Sequence, residues 1–109
     1  MFKQIFDQIY AKNKDVLFIG IWGKDGIELE KAVYQKSSSD TDFLGAEVAN
    51  IISKMDPGYT VEGIKESYRI VAFSLNRDYF LLVGINDTGI IGKLKFHISI
   101  YKKQIISLL

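Results

Sequence analysis

The sequence predicts a three-layer α+β fold in which a five-stranded antiparallel sheet carries helices on both faces. Two continuous apolar runs, residues 16–22 and 79–85, are typical of strands with protein packed on both sides. Alternating or polar strand segments at residues 27–34, 60–65 and 68–75 belong nearer the edges. Pairing the two continuous strands at the centre gives the order 2-1-5-4-3. Full cover of this central pair requires the second helix on one face and the first and third helices on the other.

The first helix occupies the first dozen or so residues and ends near Asn13, because apolar residues recur there at helical spacing. Its apolar side consists of Phe2, Ile5, Phe6 and Ile9. Residues 16–34 predict a β-hairpin with Asp25-Gly26 at its turn, since glycine accepts a positive φ. The second strand alternates, so one of its faces is expected to meet water. One face carries Ile27, Leu29 and Val33, and the other carries Glu28, Glu30 and Ala32.

The second helix follows a polar loop at residues 35–42, which is rich in the Ser, Asp and Thr residues that cap helices. Its predicted buried stripe is Leu44, Val48, Ile51, Ile52 and Met55. Pro57-Gly58 ends the helix. The opposite side carries the small residues Ala46, Ala49 and Ser53, with Phe43 and Asn50 beside them. This side is either a contact surface for another helix or only a consequence of the high helix propensity of alanine.

The last helix begins after Asn86, Asp87 and Thr88, which supply capping side chains. One face of this helix repeats apolar residues almost to the C-terminus. This stripe consists of Ile91, Leu94, Ile98, Tyr101, Ile105 and Leu108.

Length and composition restrict the possible classes of protein. A chain of 109 residues has the size of one domain, so residues 1–109 are expected to form a single domain. With 14 basic and 13 acidic residues the net charge is +1, so no long-range field points to nucleic acid or to an anionic membrane as the partner. The chain has no cysteine, and its N-terminal segment carries charges too early for a signal peptide. Its apolar runs are shorter than the roughly 20 residues of a membrane-spanning helix. These features predict a cytoplasmic protein without membrane insertion.

Catalysis requires acid, base or nucleophilic groups that converge, and the sequence offers few candidates. The one histidine, His97, borders the apolar stripe of the last helix and is expected to be half-buried or flanking there. Residues 89–93 contain two glycines and a lysine, but their spacing does not match a phosphate-binding loop. Arg77 lies in an exposed turn, where an arginine is ordinary. The sequence therefore predicts no enzyme activity, no cofactor, and no catalytic, cofactor-binding or metal site.

Three stretches of the sequence carry a resemblance to a known family. They are VLFIGIWGKDGIELEKAVY, GAEVANIISKM and YRIVAFSLNRDYFLLVGINDTGIIGKL. Together with the order of the elements, they resemble the roadblock/LC7 family, which includes MglB-like regulators of small Ras-like GTPases. The resemblance implies a noncatalytic module that forms a homodimer through its second helices and an edge strand. It further implies that such a dimer binds and regulates, or scaffolds, a small Ras-like GTPase.

The predicted dimer interface combines the outer side of the second helix with the third strand, which the strand order leaves at an edge. Its residues are Phe43, Ala46, Ala49, Asn50, Ser53, Thr60, Val61, Glu62 and Ile64.

An alternative interpretation is a small-ligand sensor of profilin-like or PAS-like architecture, with a pocket between the sheet and a helix. Bulky side chains are expected to fill that space instead. They are Ile51, Ile52, Met55, Phe73 and Leu82.

Overall fold

A computed structural model describes residues 1–36, 41–65 and 67–109 of the chain. Its elements are α1 (Phe2–Lys12), β1 (Val16–Gly23), β2 (Glu28–Val33), α2 (Thr41–Ile52), β3 (Thr60–Lys65), β4 (Tyr68–Ser74), β5 (Tyr79–Asn86) and α3 (Ile91–Ser107). All strand pairs are antiparallel, and the order in the sheet is β2-β1-β5-β4-β3. The predicted fold class and strand order are confirmed. The predicted capping residues at 37–40 lie outside the described residues.

Two hydrophobic cores lie on opposite faces of the sheet, which confirms the predicted distribution of the helices. Side chains of α1 and α3 pack against one face, where Ile19 and Ile21 of β1 are fully buried. Side chains of α2 pack against the other face, on Phe18 and Trp22. Because neighbouring residues of a strand point to opposite faces, a strand buried on both sides is apolar throughout. Every residue of β1 is indeed buried.

α2 lies directly on Trp22, a fully buried side chain whose ring also stacks on Phe80 with centroids 6.4 Å apart. The closest approach is at Gly45, which belongs to the buried side of α2. A Cβ atom placed on Gly45 would lie 2.6 Å from Cε2 of Trp22 and would overlap Nε1 as well. Glycine at position 45 is therefore what allows the helix backbone to approach the indole ring.

The face of β2 that carries Leu29 and Val33 is exposed, and the face that carries Glu28 and Glu30 is buried only at Ala32. The described part of this edge strand leaves the apolar side chains of Leu29 and Val33 exposed at 46% and 57%, whereas Ala32 is buried. Ala32 is paired with Ile19 on the face covered by α1, while Val33 is paired with Phe18 on the face of α2. The helix α2 does not cover Val33. The exposure of the β2 side chains thus depends on how much of the sheet each helix covers, and the alternation of apolar and polar residues in β2 does not contain this information.

The middle of α1 is linked to the residue that follows β2 by a hydrogen bond in which Tyr34 Oη donates to Asp7 Oδ1 at 2.6 Å. Lys3 Nζ lies 3.2 Å from the same oxygen. The hydrogen bond from Tyr34, and then the one from Lys3, lower the pKa of the Asp7 carboxyl below its ordinary value of 3.8. Burial, and then the hydrogen bond to Asp7, raise the pKa of Tyr34. The ring of Tyr34 also stacks on Tyr10, with centroids 4.1 Å apart.

This link predicts an acid-sensitive contribution to stability. A carboxyl whose pKa is lower in the folded state stabilises the fold above its unfolded pKa, and the contribution is lost as the pH falls through the folded pKa. We expect Asp7→Asn to lower the urea midpoint at neutral pH and the difference from wild type to shrink at pH values below 3.8. Urea denaturation of both proteins over a pH series measures this difference. A difference that stays constant into the acidic range would contradict the assigned role of the carboxylate.

Candidate interaction surface

The strand β3 forms one edge of the sheet, and β4 is the strand that pairs with it within the described chain. Val61 points to the α2 side and packs against that core. Thr60, Glu62 and Ile64 are exposed, and Ile64 is the most exposed of them at 82%. An exposed strand edge carries backbone N–H and C=O groups that can pair with another strand. The position of the predicted interface strand at a sheet edge is therefore confirmed, while its role in a dimer stays a prediction.

Ion pairs attach β3 to both helix layers. Lys65 Nζ lies 3.0 Å from Glu47 Oε1 of α2. On the opposite face, Lys95 of α3 pairs with Glu62. Surface ion pairs of this kind contribute only about 0–1 kcal/mol each. Their value here is geometric, because the contact with Glu47 shows which side of α2 faces the β3 edge.

The side of α2 that faces β3, called here the β3 flank, is formed by Phe43, Glu47, Asn50 and Ile51. These residues are spaced i, i+4, i+7 and i+8, so they share one side of the helix. All four are exposed, Phe43 at 66% and Ile51 at 53%. The contact of Glu47 with Lys65 thus places the β3 flank, which carries Phe43 and Ile51, next to the β3 edge.

The other exposed side of α2, called here the hairpin flank, faces the β1–β2 turn. A Cβ atom on Gly26 in that turn would lie 3.5 Å from Ala46 Cα. Lys31 of β2 donates to Thr41 Oγ1 at 2.7 Å at the start of the helix. Ser53, the residue that follows α2, lines a cleft together with Lys24 of the same turn. Of the predicted helix residues, Phe43 thus lies toward β3 and Ala46 and Ser53 toward the hairpin, with Asn50 between them on the outer surface of the helix.

Two residues of α2 lie on faces other than those predicted. Ala49 was expected on the outer side, but it is only 3% exposed and belongs to the core beneath the helix. Ile51 was expected in the buried stripe, but it is 53% exposed. The physical reason is the close approach of Gly45 to Trp22, which sets the side of α2 that meets the sheet. Ala49, four residues after Gly45, shares that side, and Ile51 falls outside it.

Comparison with solved structures shows which fold this arrangement belongs to. MglC from Myxococcus xanthus superposes with a TM-score of 0.74 at 19% sequence identity, over 99% of this chain and 98% of that chain. A structure described as MglB with a tetrameric arrangement gives 0.79 at 11% identity, over 96% and 85%. A roadblock/LC7 domain from Streptomyces avermitilis gives 0.75 at 11% identity, over 94% and 92%. The chain has the roadblock/LC7 fold.

Comparisons by sequence add nothing to this assignment, because no protein-family model matches the chain and no curated protein is found as its relative. Because the solved structures share only 11–19% of their sequence with this chain, structural similarity to them establishes the roadblock fold and not a function. The surface of α2 and β3 must therefore be interpreted from its own residues.

Polar clefts occur at the end of the domain where the β1–β2 and β4–β5 turns meet. One cleft of about 410 Å³ and another of about 420 Å³ are both lined by Lys24 and Arg77. Lys24 Nζ donates to the carbonyl of Met55 at 2.9 Å, which fixes its position. Acidic residues also line these clefts, among them Asp25 and Asp56. Because charges of both signs surround the clefts, they do not select an anionic or a cationic ligand.

His97 is half-buried on α3, as its position beside the apolar stripe predicts. Its Nδ1 lies 2.9 Å from the carbonyl oxygen of Lys93 and 3.3 Å from Nδ2 of the buried Asn13. These contacts join the end of α1 to α3. Among the residues that the structure describes, no group of three or more His, Asp or Glu side chains is arranged to hold a metal ion.

The space between α2 and the sheet, where a ligand sensor would need its pocket, is occupied by side chains. Ile52 and Leu82 are fully buried there, together with Trp22, and Met55 packs against them. Two residues that were expected to fill this space lie elsewhere. Phe73 belongs to the core on the α1 and α3 side, and Ile51 is exposed. No feature of this packing favours the ligand-sensor alternative.

Proposed function

We propose that the chain is a noncatalytic roadblock-type module that forms a homodimer and, as a dimer, binds and regulates or tethers a small Ras-like GTPase. The observation that carries the proposal is the proximity of two exposed features, the open edge of β3 and the β3 flank of α2. In the described chain, the open strand edge leaves backbone groups unpaired, and the helix flank exposes large apolar side chains to water. A single contact between two copies would cover both.

The dimer has a two-fold axis beside β3, about which the strand pairs antiparallel with its copy to give a ten-stranded sheet. The α2 helices lie on the same face of that sheet and meet through Phe43, Asn50 and Ile51. Ile64 and its copy come together on the opposite face. An interface of this kind is expected to bury about 1,600 Å² in total, the size of a standard stable complex. One similar structure is described as MglB with a tetrameric arrangement, which supports self-association as a property of this architecture.

Binding of a GTPase is the finer part of the proposal. Its support is the resemblance of the sequence to the roadblock/LC7 family, with its MglB-like regulators of Ras-like GTPases. The fold similarity to MglB and MglC points the same way. A fold by itself does not determine a partner, so the partner must be tested directly. We place this activity in the cytoplasm, where a Ras-like GTPase would meet the module.

The test has two stages. Sedimentation velocity of the purified full chain is expected to give a dimer at micromolar concentration, and a monomer would overturn the dimer. The dimer is then used as bait for Ras-like GTPases of the same organism, loaded with GDP or with a nonhydrolysable GTP analogue. Retention in one nucleotide state, or a changed rate of hydrolysis or exchange, is the expected result. A dimer that retains none and alters neither rate would leave only a self-associating module.

A further inference from the structure

The near-neutral net charge of the chain conceals a strong separation of charge. Residues 1–14 and 88–109, which contain α1 and α3, carry seven basic residues and one acidic residue. Residues 15–87, which contain the sheet and α2, carry seven basic and twelve acidic residues. Since α1 and α3 cover the same face of the sheet, the fold places these basic residues together in one layer. A positively charged layer attracts anionic surfaces even when the whole molecule is almost neutral.

The outer side of α3 combines positive charge with exposed apolar side chains. Lys93, Phe96, Ile100 and Lys103 are spaced i, i+3, i+7 and i+10, so they form one stripe about 15 Å long. This stripe lies opposite the buried Leu94, Ile98 and Ile105. Phe96 is 63% exposed and Ile100 is 57% exposed. Two large apolar side chains thus project between two lysines on the outermost surface of the layer.

Acidic residues that could neutralise this stripe are few. The sequence from Thr88 to Leu109 contains none. Among the lysines of α3, Lys95 is paired with Glu62 of β3. On α1, the one acidic residue is Asp7, which already receives hydrogen bonds from Lys3 and Tyr34. Lys93 lines a small cavity together with Asp15, and Lys93 and Lys103 are both exposed to solvent.

We propose that the α1 and α3 layer is a membrane-docking face that rests on an anionic lipid surface. Phe96 and Ile100 enter the headgroup region, and Lys93 and Lys103 lie at the level of the lipid phosphates. Basic residues beside exposed aromatic and aliphatic side chains are the composition of interfacial helices. The domain docks without spanning the bilayer, since no described helix is long and apolar enough to cross a membrane.

The shape of the stripe favours a lipid surface over an acidic protein. Phe96 and Ile100 stand on the crest of a surface helix rather than in a groove, so a soft and nearly planar partner fits them best. The proposed dimer would present two such layers on the same side of its sheet and would bind more tightly by avidity. The docking face is otherwise independent of the proposed GTPase, because α2 and the β3 edge take no part in it.

Co-sedimentation of the full chain with lipid vesicles tests the proposal. We expect binding to vesicles of phosphatidylcholine mixed with phosphatidylglycerol, and little binding to vesicles of phosphatidylcholine alone. A lysine near an anionic surface strengthens binding roughly fivefold, so Lys103→Glu, which reverses one charge, should weaken it roughly 30-fold. Arg77→Glu is the matched control, because Arg77 is also exposed but lies in the β4–β5 turn outside the docking face. It should change binding by no more than about twofold.

The apolar contribution is tested separately with Phe96→Ser. Salt screens charges but not apolar contacts, so this variant should bind more weakly than wild type at every salt concentration. The effect of Lys103→Glu should instead fade as salt increases. The proposal would be overturned if the protein did not bind anionic vesicles at low salt, or if Arg77→Glu and Lys103→Glu weakened binding equally. It would also be overturned if Phe96→Ser bound the vesicles as well as wild type and the protein bound soluble polyglutamate as tightly as it binds vesicles. The last result would assign the face to an acidic protein.

Discussion

Replacing Gly45 with alanine is expected to destabilise the fold by about 1–3 kcal/mol, because the added methyl group has no space above Trp22. A Cβ atom at this position would lie 2.6 Å from Cε2 of the indole ring. The ring cannot move away, since Trp22 is fully buried and stacks on Phe80. The helix must then rise from the sheet. In an unobstructed helix the same substitution would stabilise by up to about 1 kcal/mol, so the expected sign is reversed by the tertiary contact.

Gly92→Ala supplies the matched control, because it makes the same change on another helix. A Cβ atom placed on Gly92 meets no heavy atom within 4 Å. This variant should be more stable than wild type by about 0.5–1 kcal/mol. Urea denaturation of wild type and the two variants measures both effects, provided that the slope of the unfolding free energy against urea concentration is the same for all three. Equal stabilisation by the two variants would mean that α2 does not lie against Trp22.

Asn50→Arg is expected to convert the proposed dimer into a monomer at micromolar concentration. Asn50 is exposed on the β3 flank, where the two α2 helices would meet across the two-fold axis. An arginine there would keep the helices apart and place an unpaired charge in the interface, at a cost of ~3 kcal/mol or more. That cost corresponds to a dissociation constant more than about 100-fold higher. Sedimentation velocity over a concentration series measures the change, and urea denaturation checks that the monomer remains folded.

Ser53→Arg adds the same residue directly after the end of α2, on the side of the hairpin flank, and should remain dimeric. The pair of variants decides between the two exposed sides of α2, since sequence alone assigned Ser53 and Asn50 to one interface. A monomeric Ser53→Arg beside a dimeric Asn50→Arg would show that the helices meet over the hairpin flank. Ala49→Arg cannot answer this question, because Ala49 is buried in the core and its replacement would unfold the domain.

The architecture could be predicted from the sequence because it depends on patterns within single segments. The continuous apolar runs that became β1 and β5 indicate burial on both faces, and two buried faces require two helix layers. These two constraints were sufficient for the strand order 2-1-5-4-3, which the structure confirms. The resemblance to the roadblock/LC7 family rested on the same segments, and the fold similarity agrees with it.

The candidate site depended on contacts between segments, and there the patterns were ambiguous. Alanine is compatible with either side of a helix, so the burial of Ala49 was decided by the close contact of Gly45 with Trp22, which sets the side of α2 that meets the sheet. Ile51 falls outside that side and is exposed. Periodicity specifies that a helix has a buried side, but the shape of the opposing surface selects which small and large residues occupy it.

What the sequence determined by itself was the set of elements, their order in the sheet and the helix layers, because hydrophobic periodicity is a property of each segment alone. Only the tertiary structure decided which side of α2 faces the β3 edge, which face of β2 is buried, and where the charges gather. The net charge of +1 is a sum over the whole chain. Its separation into a basic helix layer and an acidic remainder exists only once α1 and α3, from opposite ends of the chain, are packed side by side.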